Sequence, residues 1–536
     1  MIRKSIRRAA VAAGVAAATL LGLALPATAL PAQAGAGGGL VVRTGRGLIQ
    51  GKPAEGIDQW LGVPYAAPPV GALRWAAPQP APRWSGIRPA TSYGGRCAQL
   101  ASGNGPRVDN EDCLYLNVYA PPGADRGGRW GHGLPVLFMI HGGGLTTGAG
   151  DQHDGSLIVR TDHIIVVSIN YRLGPFGFLN VPGLGTSPLT ASGNYGLLDQ
   201  EAALRWVQRD IAAFGGDPAK VTIDGESAGG WSVCALLTSP LARGLFRGAI
   251  MQSGSCPTQT RATAQAAGLA FAKQAGCPDA TTAAACLRAL PEQTLLNASA
   301  SYQPVFTSGG PELPAPSGPA VLAGDYTRVP VLIGTNHNEG RTFAQGLAGL
   351  TQQQADQMIT QEYGSRAPAI LARYPWASYP SPYTAAYMIG DIWTDSGFIT
   401  GIGGCPEQNL ATQFAATTPT YFYQFDDLHA PGLNRDLPGY QWGAGHAMEL
   451  AYLWPSFNNG YSLYDLLTPA QLELSQQMVR YWGAFAASGA PEVAGQPRWP
   501  GYSSGQLMSL RPGGQTQTIS AGTFAAEHQC SFWEAG

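Results

Sequence analysis

Apolar residues in this chain gather into short dense runs instead of alternating with polar ones. Leu134–Ile140, Ile164–Ile169, Val221–Ile223 and Val329–Ile333 are rich in Val, Ile and Leu, the pattern of strands whose two faces are both covered by helices. Between the second and third runs, Leu197, Leu198, Ala202, Leu204, Trp206, Val207 and Ile211 recur at helical spacing. They predict a helix over Tyr195–Phe214, stopped by Gly215-Gly216-Asp217-Pro218, since Gly and then Pro end a helix. Repeated strand–helix–strand order predicts a doubly wound α/β fold with a mostly parallel sheet. No Ser/Gly linker or charge run interrupts the chain after about Leu40, so 35–536 reads as one catalytic-sized domain with long insertions. Length alone favours a second domain within 290–440.

The first 34 residues follow another pattern. Arg3, Lys4, Arg7 and Arg8 precede the apolar run Ala9–Leu25, and Ala32-Gln33-Ala34 supplies a small-x-small cleavage site, with Ala27-Thr28-Ala29 as the alternative. This is the pattern of a secretory signal peptide over 1–34, and the run is too short for the ~20 residues a membrane span needs. Without those four basic residues the chain keeps 28 basic against 34 acidic side chains, a formal charge of −6. That balance argues against nucleic acid or an anionic membrane as partner. Charged residues make up only 12 % of the chain, which disfavours coiled coils. The cysteines are Cys97, Cys113, Cys234, Cys256, Cys277, Cys286, Cys405 and Cys530. Their even number and the lack of any C-x-x-C or zinc spacing favour disulfides over a metal, as expected of a secreted protein, while composition leaves the connectivity open. No metal or cofactor is expected.

Gly225-Glu226-Ser227-Ala228-Gly229 is a G-x-S-x-G motif, and Gly501-Tyr502-Ser503-Ser504-Gly505 is a second. Context separates them. The first follows the run Val221–Ile223 and opens the helical stretch Ala228–Leu237, the strand–elbow–helix that lifts a nucleophilic hydroxyl clear of a sheet. The second follows Trp499-Pro500, precedes no helix, and reads as a turn. A serine nucleophile needs a base, a carboxylate to orient it, and donors for the oxyanion. His141-Gly142-Gly143-Gly144, just past Leu134–Ile140, offers backbone N–H donors. In a hydrolase with this elbow the acid and then the base follow the serine. Glu339 stands past the strand Val329–Ile333, at a C-terminal strand end where sites collect. Of the histidines after Ser227, His337 precedes Glu339 and His528 adjoins Cys530. His446, in the Gly-bearing loop Gly443–Leu450, is the preferred base. His429, after the strand-like run Tyr421–Phe425, is the alternative.

With these motifs on the page the chain resembles the type-B carboxylesterase/lipase family of the α/β-hydrolase fold, which includes secreted carboxylesterases, cholinesterases and fungal lipases. The likeness runs nearly end to end. It is carried by Leu61-Gly62-Val63-Pro64-Tyr65-Ala66, Pro68-Pro69-Val70-Gly71, Leu73-Arg74-Trp75, Glu111-Asp112-Cys113-Leu114-Tyr115-Leu116-Asn117, Asn170-Tyr171-Arg172-Leu173-Gly174, Gly177-Phe178-Leu179 and Gly225–Gly230.

The resemblance implies Ser227 as nucleophile, His446 as proton carrier and Glu339 as its orienting acid. It implies an oxyanion hole from the N–H groups of Gly143, Gly144 and Ala228. It places Glu226 near the imidazolium and Ser253 beside the triad acid. It suggests the disulfides Cys97–Cys113, Cys277–Cys286 and Cys405–Cys530, leaving Cys234–Cys256. The expected activity is hydrolysis of small-molecule carboxylic esters through an acyl-enzyme. Amide, lactone or carbamate hydrolysis would use the same residues. Neuroligin-like binding modules of the family lack the serine nucleophile, which is present here. Relatives differ in the first disulfide loop, where cholinesterases carry a cation-binding tryptophan and fungal lipases a longer apolar lid. Here residues 98–112 contain no aromatic residue and no apolar stripe at helical spacing. Soluble esters of short or medium acyl chain are therefore expected, with no choline selectivity and no interfacial activation. Another loop could alter that expectation; Tyr440 and Trp442, near His446, are candidates that the sequence does not place.

Overall fold

A computed structural model describes residues 40–126, 133–184, 193–434 and 436–535. The expected leader, 1–34, lies outside the described residues. The four dense apolar runs all enter one eleven-stranded sheet. In chain order its strands are β1 (Lys52–Ala54), β2 (Ile57–Pro64), β3 (Tyr115–Ala120), β4 (Leu134–Ile140), β5 (Ile165–Ile169), β6 (Gly216–Glu226), β7 (Gly248–Gln252), β8 (Val331–Asn336), β9 (Thr420–Phe425), β10 (Gln506–Leu510) and β11 (Gln517–Ser520). Their order across the sheet is β11-β10-β9-β8-β7-β6-β4-β5-β3-β2-β1. Pairing is parallel from β10 to β5 and antiparallel at both ends.

The strand order reverses at β4, which lies between β5 and β6. At such a switch point, connections depart to opposite faces and leave a crevice beyond the strand ends. Register makes the crevice sharp. Ile140 pairs with Gly225, Met251 with Gly225 and Ile333 with Met251, so four parallel strands end in nearly one row. The loops leaving β4, β6, β7 and β8 thus start side by side.

Helix α1 (Tyr195–Asp210) buries Leu197, Leu204, Trp206 and Val207 against one sheet face. It tightens to a 3-10 turn over Ile211–Phe214, where Gly215 adopts φ 91°. A Cβ on Gly215 would meet the Ala124 carbonyl oxygen at 2.4 Å, so no side chain fits the stop. Strand β6 then begins at Gly216, earlier than the apolar run alone predicts. Its first residues pair with Leu134 before the register shifts, and Pro218 is tolerated in that irregular start. A second apolar layer, including Met139, Ile250, Leu332, Tyr423, Trp482 and Trp499, covers the other face. Disulfides join Cys97 to Cys113, Cys234 to Cys256, Cys277 to Cys286 and Cys405 to Cys530. No helix among the described residues is long and apolar enough to cross a membrane.

Arg172 follows β5 and is buried with Asp199 of α1. Its Nε and Nη2 donate to the two carboxylate oxygens at 2.7 Å each. Removing one partner of such a pair strands the other charge, at a cost of about 3–5 kcal/mol. Arg172→Met is expected to lower the urea unfolding free energy by about that amount. Arg172→Met with Asp199→Leu should recover most of it. An Arg172→Met midpoint equal to wild type would show that the pair does not hold the β5–α1 connection.

Candidate active site

Strand β6 delivers Ser227 and helix α2 (Ala228–Thr238) carries the chain away. Ser227 is held at φ 56°, ψ −122°, a strained conformation for a residue with a side chain. Its N–H donates to the Gln252 carbonyl at 2.9 Å. Glycine at 229 permits the turn, because a Cβ there would stand 2.1 Å from the Ile140 carbonyl oxygen. The second motif behaves as read: Tyr502–Ser504 is a short 3-10 turn leading into β10.

The glycine loop after β4 abuts the elbow, and a Cβ on Gly142 would lie 3.1 Å from that of Ser227. Gly143 and Gly144 have φ of 97° and 62°. The Gly143 carbonyl points back into its own turn, accepting from the N–H groups of Thr146 and Thr147 at 3.0 Å. Among the described residues, the N–H groups of Gly143, Gly144 and Ala228 donate to no protein acceptor.

Glu339 opens the short helix α3 (Glu339–Ala344) after β8. Its Oε1 accepts from the Asn336 N–H at 2.7 Å, Ser253 Oγ at 2.5 Å and Thr335 Oγ1 at 3.2 Å. Its Oε2 lies 2.6 Å from His446 Nδ1. That contact fixes the proton on Nδ1 and leaves Nε2 turned inward. Glu226 Oε1 is 3.2 Å from Nε2, and Phe343 packs on the ring at 4.7 Å. The Ser227 hydroxyl makes no hydrogen bond among the described residues. The imidazole faces Glu226.

The other histidines after Ser227 stand elsewhere. His337 bonds Asp426 at 2.7 Å, His528 bonds Asp395 at 2.8 Å, and His429 is exposed. Tyr440 and Trp442 do not reach the cavity; Tyr440 stacks on Tyr387 and donates to the Arg341 carbonyl. The aromatic lining comes instead from Trp231, Phe343 and Phe457. Two of these had a local signal. Trp231 is one turn past Ser227 and Phe343 one turn past Glu339, each on the helix that its site residue introduces. These groups share a cavity of about 450 Å³, to which Gly103 and Asn104 of the first disulfide loop also contribute.

Charge in the site is crowded and buried. Burial alone would lower the His446 pKa, but Glu226, Glu339 and Glu449 outweigh it and lift it to about 9. Burial raises Glu226 well above the ordinary carboxylate range, against the pull of His446. Glu226 and His446 therefore compete for one tightly held proton.

A mostly parallel sheet with a strand–elbow–helix at its switch point defines an α/β-hydrolase. The profile of the carboxylesterase family matches residues 39–533, and the chain belongs to that family. It is similar to the para-nitrobenzyl esterase of Bacillus subtilis (strain 168), with 34 % identity over 86 % of this chain and 92 % of that one. It is also similar to the human cocaine esterase, with 31 % identity over 91 % and 89 %. The fumonisin B1 esterase of Sphingopyxis macrogoltabida is 33 % identical over 91 % and 89 %. A solved PNB esterase structure superimposes with a TM-score of 0.73 at 32 % identity, covering 91 % of this chain and 99 % of that one. The chain is a hydrolase of carboxylic esters.

Titration of the His446 ring by NMR is expected to show a midpoint near 9. Glu226→Gln removes the largest attractive charge and should lower that midpoint by about one unit or more. An unchanged midpoint would mean that Glu226 does not hold the proton.

Proposed function

We propose that this protein is a secreted carboxylesterase in which Ser227, His446 and Glu339 cleave soluble esters of short to medium acyl chain through an acyl-enzyme. The observation that carries the reading is the strained elbow at Ser227, sharing one cavity with an imidazole whose Nδ1 is pinned to Glu339. Ser227 Oγ attacks the carbonyl carbon as His446 Nε2 takes its proton. Resting contacts of this kind tighten when substrate binds. The N–H groups of Gly143, Gly144 and Ala228 receive the oxyanion, each donor contributing about 3 kcal/mol to the transition state. His446 returns the proton to the leaving alcohol as the C–O bond breaks. Water, deprotonated by the same nitrogen, then releases the acid. Ser253 holds Glu339 in place. Glu226 stabilises the imidazolium that forms in each step, so the acid limb of kcat/KM should move to lower pH in Glu226→Gln.

We read 35–536 as a single catalytic domain following a leader over 1–34. Four disulfides accord with an oxidising compartment and hence with secretion. The preference for soluble esters draws support from the first disulfide loop. It is a small turn closed by Gln99–Val108 and Ser102–Gly105 bridges and not an apolar helix.

Ser227→Ala is expected to lose turnover by about 10⁶-fold, in line with serine triads, and to lose organophosphate labelling. Ser503→Ala should keep both. His446→Ala should fall by several orders of magnitude while His429→Ala stays near wild type. Labelling that persists in Ser227→Ala would overturn the nucleophile assignment. With tributyrin, the rate should saturate below the solubility limit and not jump above it. A sharp rise on crossing that limit would make the enzyme a lipase.

A further inference from the structure

Two buried histidines lining the cavity have no place in the reaction above. His141 Nδ1 donates to the Gly142 carbonyl at 2.8 Å, so its Nε2 is a bare acceptor, and no protein group meets it. His153 is only 2 % exposed; one ring N–H is directed at the Ala149 backbone, and the other nitrogen has no partner among the described residues. Its ring is held edge-on to Trp454 at 5.5 Å and beside Phe457 at 6.2 Å. Buried polar groups in folded proteins almost always have partners, protein or water, so these two imidazoles in one cavity are positions at which a ligand hydroxyl can bond.

Contacts place the His141 ring on one wall with the first disulfide loop, and His153 lines the same cavity close to His141. Gln99 of that loop exchanges hydrogen bonds with Gly148, which lies against the His141 ring. Asn104 donates to Thr147 at 2.9 Å, and Gly103 rests on Asn459. This wall therefore presents two imidazoles and the amides of Asn104 and Asn459. Elsewhere the lining is largely apolar, with Trp231, Val305, Phe343, Ile399, Ile402 and Leu450.

The wall selects by charge. Among the described residues no Lys, Arg or Asp lines the cavity, and its one carboxylate, Glu226, is engaged with His446, so the wall beside His141 and His153 holds no charge of its own for a substrate carboxylate or ammonium. Burial drives the pKa of His141 down to about 4 and that of His153 to about 3, so both rings are neutral wherever the enzyme works. A neutral imidazole offers one donor and one acceptor, and a hydroxyl answers both.

We infer that His153, with His141 Nε2 and the amides of Asn104 and Asn459, is a specificity-determining receptor for a neutral hydroxyl group carried by the ester substrate. The preferred substrates are esters joining an apolar portion to an uncharged hydroxylated one. The inference rests on the proposed role of Ser227 in the same cavity.

The test compares kcat/KM for 1-monobutyrin and for propyl 3-hydroxybutyrate, each against propyl butyrate. The first arm puts hydroxyls on the alcohol and the second puts one on the acyl group. Rates are expressed per site titrated with an organophosphate. A hydroxylated ester should be favoured about tenfold in at least one arm, the factor that one well-made hydrogen bond supplies. His153→Phe keeps the ring packing and should bring that ratio close to one. His153→Gln, which retains a donor and an acceptor, should keep most of it and serves as the readout if the Phe variant fails to fold. Its loss of the preference would then count against the receptor. Equal rates in both arms for a fully labelled wild type, or a preference that survives His153→Phe, would overturn the inference. Absence of labelling at Ser227 would instead strike the proposed mechanism.

Discussion

The site depends on a register. Ile140, Gly225, Met251 and Ile333 are joined through successive parallel pairs, so four strands end together. Each strand hands its loop one element: the glycine loop, Ser227, Ser253 and Glu339. A shift of one residue in any pair would turn side chains to the opposite face and move these groups by more than a hydrogen bond tolerates. The close approach of Gly229 to the Ile140 carbonyl is part of the same constraint, because β4 and the elbow pack without room for a side chain between them.

Much of this was legible in the chain itself. Buried parallel strands announce themselves as dense Val/Ile/Leu runs, and Leu134–Ile140 is a strand over that same range. The Gly-x-Ser-x-Gly context singled out Ser227, and the order of acid and base, with the cysteine beside His528, narrowed the histidines to a pair. The antiparallel ends were less visible. β1 and β2 are strands whose sequence includes Pro53, Gly62 and Pro64, and nothing periodic marks them. β6 starts amid residues that also read as a helix stop, because one Gly-Gly step serves both elements.

Proximity in sequence does not fix side-chain direction. Tyr440 and Trp442 stand within six residues of His446, yet they pack into the layer behind α3 with Tyr387 and Arg341. Phe457 and His153, far from Ser227 in the chain, face the cavity instead. Such placements follow from long insertions folding back over the strand ends, which no local pattern encodes. The same folding brings Asp224, Glu226, Glu339 and Glu449 into one buried neighbourhood, where burial raises Asp224 to about 8 and Glu449 to about 7. Part of that cluster is therefore protonated at neutral pH, which limits the repulsion the fold must bear.

The bond between Cys405 and Cys530 spans 125 positions of sequence, and His446 lies within that span whereas Glu339 lies before it. A protease that cuts the backbone once between Cys405 and His446 would leave Glu339 and His446 on separate peptides still chained to each other. In a surrounding rich in peptidases, the molecule can thus be nicked without being dismantled. Its working lifetime is then set by local opening around the cut and not by the survival of an unbroken main chain.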